Sequence, residues 1–586
     1  MKHTAIVRFQ RVLSLLLPII FVVTSLGGCS KDRSFAEYTR SIFLDEITSN
    51  TLNLHYCIEN PQAYGIKNYN ISLGDFSKNA RNASSLALLD TKADLLNYHY
   101  LSLTTEEKLT YDILNDYLDT QIKLCNFQLY EEPLSFSGGI QAQLPILLAE
   151  YEFNTEQDVK DYLELISFVD DFFIQIVDFE KEKSAAGLFM SDELCQAVID
   201  SCQSFIENPK EHYLLTTFEN RLTKLNLSER KTATYIKGNQ KIFTDAIIPA
   251  YEYMIKELTS LLGTGHNNGG LCNFEYGKDY YELLVYSETG CDDSIDEIFN
   301  RIHAQRLNDL IVCADLQSKD PTIIEKCTYL EWEMEDTETM LSHLQNEILK
   351  TFPTPPDTNY EVHYIDDSLE AYLAPAFYIV APIDNYRENE IYINDAYMSN
   401  DIYCFTTLAH EGYPGHLYQT VMTYEYGFPE VRSILDFPGY VEGWATYVEM
   451  MSYDYAGLDE DVSSMLAYNQ SATLSLYASS DIGLHYYGWT KEDMYSFWAS
   501  YGITDTDTID EITQLILAEP GNYLKYYVGY IEFLDLKNYA KELLGSDFDL
   551  VTFHRTILDL GPAPFPILEK YFKTYYYSPQ TESTTD

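Results

Sequence analysis

The stretch "LAHEGYPGHLYQT", Leu408 to Thr420, sets two histidines and a glutamate within seven residues, around a Pro-Gly pair. In zinc sites of the H-E-x-x-H type, two histidines sit one helical turn apart and the glutamate acts as general base. Here the second histidine comes two residues late. On a straight helix six residues advance about 9 Å and turn about 600°, which leaves the His410 and His416 side chains roughly 120° apart. Nitrogens so placed cannot meet on one ion at bonds of about 2 Å. A shared site therefore requires an interrupted helix, and the sequence supplies the means. Pro414 has no N–H for the His410 carbonyl, and its ring collides with that turn. Gly415 follows with wide backbone freedom. The stretch predicts a bent helix that swings His416 back beside His410.

A catalytic zinc takes a third protein ligand and keeps one position open for water. The segment "VEGWATYVE" offers Glu442 and Glu449, seven residues apart and so on one helical face, about 20° out of register. Glu442 is the expected third ligand. Glu449 is expected to orient a ligating histidine through its other ring nitrogen; the plainer alternative for both is an exposed acidic face. Glu411, beside His410, takes the place of the base that draws a proton from the zinc-bound water.

"HEGYPGH" followed by "EGWA" (Glu442–Ala445) resembles the bacterial family of domain of unknown function 885. Its usual motifs are H-E-x-x-P-G-H and S-E-G-W-A-x-Y. "DIGLHYYGWT" (Asp481–Thr490), "PGNYLKYYVG" (Pro520–Gly529) and "FHRTILDLGPAPFPIL" (Phe553–Leu568) extend the resemblance. The family is similar to zinc metallopeptidases such as thimet oligopeptidase and carboxypeptidase Taq. That implies a mainly α, large helical zincin-like fold with a deep channel. It also implies one Zn2+ per chain on His410, His416 and Glu442. Within the same resemblance, Tyr526 is the expected oxyanion donor, with His485 and Tyr527 as lesser candidates. His554 is expected to be structural. Arg387 and Arg432 either grip a substrate carboxylate or form surface ion pairs. The chain departs from the family at Leu417, where a histidine is common, at Val441, where serine is, and at "PGNY", where "PGQA" is. None of these removes a proposed ligand.

The N-terminus has a positive start (Lys2, Arg8, Arg11) and an apolar run from Val12 to Val23, the length of a signal segment rather than a membrane span. It ends in "LGGC", which resembles a lipobox with Cys29 as the lipidated residue. The expectation is a lipoprotein held outside the bacterial cell membrane by its N-terminal lipid. The chain of 586 residues carries a net charge of −53. Nucleic acid, whose phosphates need a basic face, is excluded as a partner. Nine cysteines remain besides Cys29; Cys272 with Cys291, and Cys313 with Cys327, are possible pairs in an exported protein.

The first half reads as helices, with capping boxes at Thr104/Glu107 and Ser294/Glu297 and an apolar stripe from Val159 to Phe173. "GTGHNNGG" (Gly263–Gly270) reads as a flexible loop. After the Pro-rich "FPTPPDTNY" (Phe352–Tyr360) come three short β-rich runs, so a small sheet is expected beside the histidine helix. The expected organisation is a signal segment (1–28), an N-terminal helical region (29–270), a catalytic region (271–575) and a disordered tail (576–586). The resulting expectation is a zinc peptidase acting on peptide amide bonds. A non-catalytic peptide- or solute-binding lipoprotein, or a zinc hydrolase of another amide or ester, are the alternatives.

Overall fold

The protein was analysed as a computed structural model that describes residues 33–577, apart from 333, 335, 366–373 and 399–400. The signal segment, Cys29 and the tail beyond Tyr577 lie outside the described residues. The fold is mainly α-helical, with one three-stranded sheet. Among the described residues no helix is long and apolar enough to cross a membrane.

Local chemistry accounts for the helices. Thr104 accepts from the Glu107 N–H while Glu107 returns a bond to the Thr104 N–H, opening Thr105–Leu124. Ser294 and Glu297 do the same for Ile295–Lys319. The stripe from Val159 to Phe173 is buried largely as expected, but on two helices, Glu156–Leu165 and Val169–Ala186, joined by a 3-10 turn. "GTGHNNGG" is a packed loop rather than a loose one: a Cβ on Gly265 would stand 1.9 Å from the Met190 carbonyl oxygen, and one on Gly270 2.0 Å from that of Leu484.

The sheet follows the Pro-rich break. Strands β1 (Asn359–Tyr364), β2 (Ala376–Ile379) and β3 (Glu388–Ile393) lie in the order β1-β3-β2. β1 pairs parallel to β3, with Val362 opposite Ile391, and β2 pairs antiparallel to it, with Tyr378 opposite Ile391. The edge strand β2 lies against the helix Ile402–Glu411.

The core crosses the expected boundary at residue 270. One apolar cluster joins Phe35, Ile42, Leu114 and Tyr117 to Trp444, Leu524, Phe553 and Phe572. A second centres on the helices between Ile140 and Leu258, with Phe173, Phe218 and Tyr251 fully enclosed. None of the nine described cysteines is in a disulfide, so neither possible pair forms.

Candidate metal centre

The first histidine helix, Ile402–Glu411, starts at Asp401, whose carboxylate accepts the N–H groups of Tyr403 and Cys404. It stops at Glu411, and a second helix, His416–Tyr426, starts five residues on. The expected bend is thus a complete break. Its tightness explains the glycine: a Cβ at Gly415 would lie 1.7 Å from the His410 carbonyl oxygen. The indole of Trp444 donates to the Pro414 carbonyl at 2.9 Å, pinning the break to the next helix.

That next element, the glutamate helix Pro438–Ser452, is buried along nearly its whole length. It crosses the helix Asn522–Leu544 backbone to backbone: a Cβ on Gly443 would meet Gly529 at 2.4 Å, and one on Gly529 would meet the Gly439 carbonyl at 2.1 Å. The Asn522–Leu544 helix carries Tyr526. Its first turn is set by Gly521, at φ +82, whose N–H donates to Asp481. Asp481 also accepts from the Tyr281 hydroxyl at 2.5 Å. The buried Gly521–Asp481 bond links the "PGNY" and "DIGLH" motifs.

The break brings the two imidazoles to a centroid separation of 4.8 Å, nearly perpendicular. Glu442 Oε2 lies 3.5 Å from His410 Nε2 and 3.3 Å from His416 Nε2. Glu449 Oε2 lies 3.0 Å from His410 Nδ1, so the two glutamates, on one helical face, grip both nitrogens of one ring. His410 and Glu442 are each 1% exposed. Ligand atoms of His410, Glu411 and His416 fall within 4.8 Å of one another. The Glu411 Oε2 atom accepts the Tyr378 N–H of β2 at 3.0 Å. Burial by itself would lower the His410 pKa, but the bonds to Glu442 and Glu449 outweigh it and push the imidazole up to about 10. Burial raises Glu411, against the pull of His416 and His410.

The donor set fits a divalent ion. Ligands held at about 2.0–2.1 Å in a tetrahedron stand about 3.4 Å apart, and the separations at Glu442 match this. Two imidazoles with a carboxylate suit zinc or a neighbouring transition metal. The other cluster of metal-ligating groups, Cys291, Asp293 and Glu532, already has a cation: Arg301 donates to all three.

Of the remaining candidates, Tyr526 packs with its ring 6.3 Å from that of His410. Tyr527 points elsewhere, its hydroxyl 3.4 Å from Ser471. His485 has both ring nitrogens engaged by backbone: Nδ1 accepts the Leu271 N–H and Nε2 donates to the Ile516 carbonyl. Burial lowers its pKa to about 4. It therefore has no donor left for an oxyanion, and the expectation for it is corrected. His554 is structural, bonding Thr351 and Tyr447. Arg387 forms an exposed pair with Glu425. Arg432 does not pair on the surface; it is buried, caps the carbonyls of Leu560 and Pro562, and stacks on Phe428. Sequence reasoning missed Tyr378 and Asp481. A backbone N–H leaves no mark in a sequence, whereas Asp481 stood in a motif that could have flagged it.

The fold and this site define a helical protein built around a buried His-Glu-His-Glu cluster. The chain belongs to the bacterial family of proteins of unknown function DUF885, whose profile matches residues 60–571. Its structure is similar to that of a candidate lipoprotein from Colwellia psychrerythraea, with a TM-score of 0.82 and 19% identity over 92% of this chain and 99% of that one. It is also similar to a candidate lipoprotein of unknown function from Shewanella oneidensis, with a TM-score of 0.66 and 16% identity over 92% of this chain and 100% of that one. At these identities the likeness is one of fold. No curated protein matches the chain.

Proposed function

We propose that the protein is a zinc-dependent peptidase, tethered outside the cell membrane through lipid on Cys29. The observation that carries this is the spacing of Glu442 Oε2 from the two imidazole Nε2 atoms, 3.5 and 3.3 Å, which suits one tetrahedral ion. His410, His416 and Glu442 would hold it. A divalent cation there supplies Lewis acidity and a water that ionises near neutral pH.

The protein's own groups do the rest. Glu449 fixes the ring of His410 through Nδ1. Glu411 takes the proton from the attacking water and passes it to the leaving nitrogen. The Tyr378 N–H holds the Glu411 carboxylate in place. Tyr526 donates to the oxyanion that develops on the carbonyl carbon's oxygen. A pure binding protein would have no use for Glu411.

Elemental analysis of the detergent-solubilised full-length protein tests this. About one zinc per chain is expected in the parent and in Glu411→Gln, with loss in His416→Ala, and cleavage of a peptide library by the parent but not by Glu411→Gln. A folded protein that takes up no metal would overturn the proposal and leave a binding lipoprotein.

A further inference from the structure

A cavity of about 300 Å3 lies between the segment 130–198 and the segments 267–288, 436–438 and 485–525. It sits one helical turn from the metal cluster on two helices at once. Pro438, which opens the glutamate helix, lines it, and Glu442 follows four residues on; Asn522 and Lys525 line it, and Tyr526 is next. Four helical residues span about 6 Å. A peptide bound across both cluster and cavity would place the residues one or two from the cut bond in this space.

The lining has a consistent chemistry. Phe136, Met190, Phe274 and Leu284 give an apolar wall. Glu132 faces the cavity but is paired with Lys183 at 2.6 Å. Glu288, Asp436 and Glu519 add further carboxylates to the lining, against one lysine, Lys525. Glu519 is held in place by the hydroxyls of Ser135 and Ser137. Gln143, on the helix Ile140–Glu150, lines the cavity at 2% exposure, and its Oε1 atom is buried with no hydrogen-bond partner. An unmet buried acceptor is costly and calls for an explanation. A donor arriving with a ligand provides one. Acceptors on a carboxylate-rich, apolar-walled cavity suit a ligand with an aliphatic stem and a charged N–H donor at its end.

Resting on the peptidase reading above, we propose that this cavity binds a cationic group of the substrate. The substrates are then peptides that present a lysine or arginine side chain, or a free amino terminus, beside the cleaved bond. The protein's charge of −53 would draw such peptides in.

The test is calorimetric titration of Glu411→Gln full-length protein with matched pentapeptides. One series has lysine against norleucine, the other a free against an acetylated amino terminus. Tighter binding of the cationic member, by about tenfold or more, is expected for a charge-assisted contact, and the series in which it appears identifies the source of the charge. In the Glu411→Gln background, Glu519→Gln should reduce the preference and Lys525→Met should increase it. The opposite signs separate a pocket effect from damage to the fold, which melting curves monitor independently. Equal binding of all four peptides, or a preference that neither substitution moves, would overturn the proposal. Cleavage by the parent without the preference would spare the peptidase and sink the pocket. The preference without cleavage by the parent would do the reverse.

Discussion

His410 is held at both ring nitrogens, by Glu442 on one side and Glu449 on the other. Partners that orient a metal-binding histidine commonly contribute about 10–100-fold to metal affinity. Glu449→Gln is therefore expected to keep the fold and weaken zinc binding by that factor, measured by competition with a chelator. A different buried carboxyl governs acid–base behaviour in the N-terminal region. Burial, with Asp45 nearby, pushes Glu46 up to about 8, and its Oε2 atom lacks a partner. The folded state keeps a proton that the unfolded chain releases near its ordinary value of 4.5. Stability is then fullest below that value and falls as pH rises toward 8. Glu46→Gln should flatten this fall. It should melt above the parent at pH near 8.5, with the gap closing toward pH 4.5; an unchanged gap across the range would refute the assignment. The residues of the candidate site were legible because histidine and glutamate at special spacings carry chemistry in their names. His485 misled for the same reason, since the backbone groups that occupy it belong to Leu271 and Ile516.

Among the elements, the interrupted histidine helix was readable from Pro414 and Gly415, and the sheet from its three β-rich runs. What could not be read was the crossing of the glutamate helix with the helix that bears Tyr526. Gly443 and Gly529 look like ordinary helix-weakening residues in isolation; only the pairing of two distant segments makes them necessary. A methyl group at either must push the backbones apart, because the nearest atoms are backbone at 2.1–2.4 Å. Overpacking of this kind costs about 1–3 kcal/mol. Gly443→Ala and Gly529→Ala should each lower the melting temperature. Gly443→Ala should also weaken zinc retention, because it moves Glu442 without altering any ligand. Parent-like melting for both would show that the crossing is soft.

For the molecule as a whole, candidate ligands drawn from three separate helices would make metal binding a property of the folded state. Zinc at about a thousandfold excess over its dissociation constant should add about 4 kcal/mol, seen as a zinc-dependent rise in melting temperature that His416→Ala abolishes. The sequence order hides how the core is assembled. Phe35 and Tyr117 share one apolar cluster with Phe437 and Phe572, and Asp112 receives the Lys570 and Tyr571 side chains. The first helices to leave the ribosome thus wait for the last before their apolar faces are covered. Such long-range closure slows folding, and an exported chain would spend that interval outside the cytoplasm. A fragment beginning at residue 271 keeps every candidate ligand but has lost the lid of its own core. Made alone, it should be recovered as aggregate, and supplying residues 33–270 as a separate chain during synthesis should restore a soluble pair.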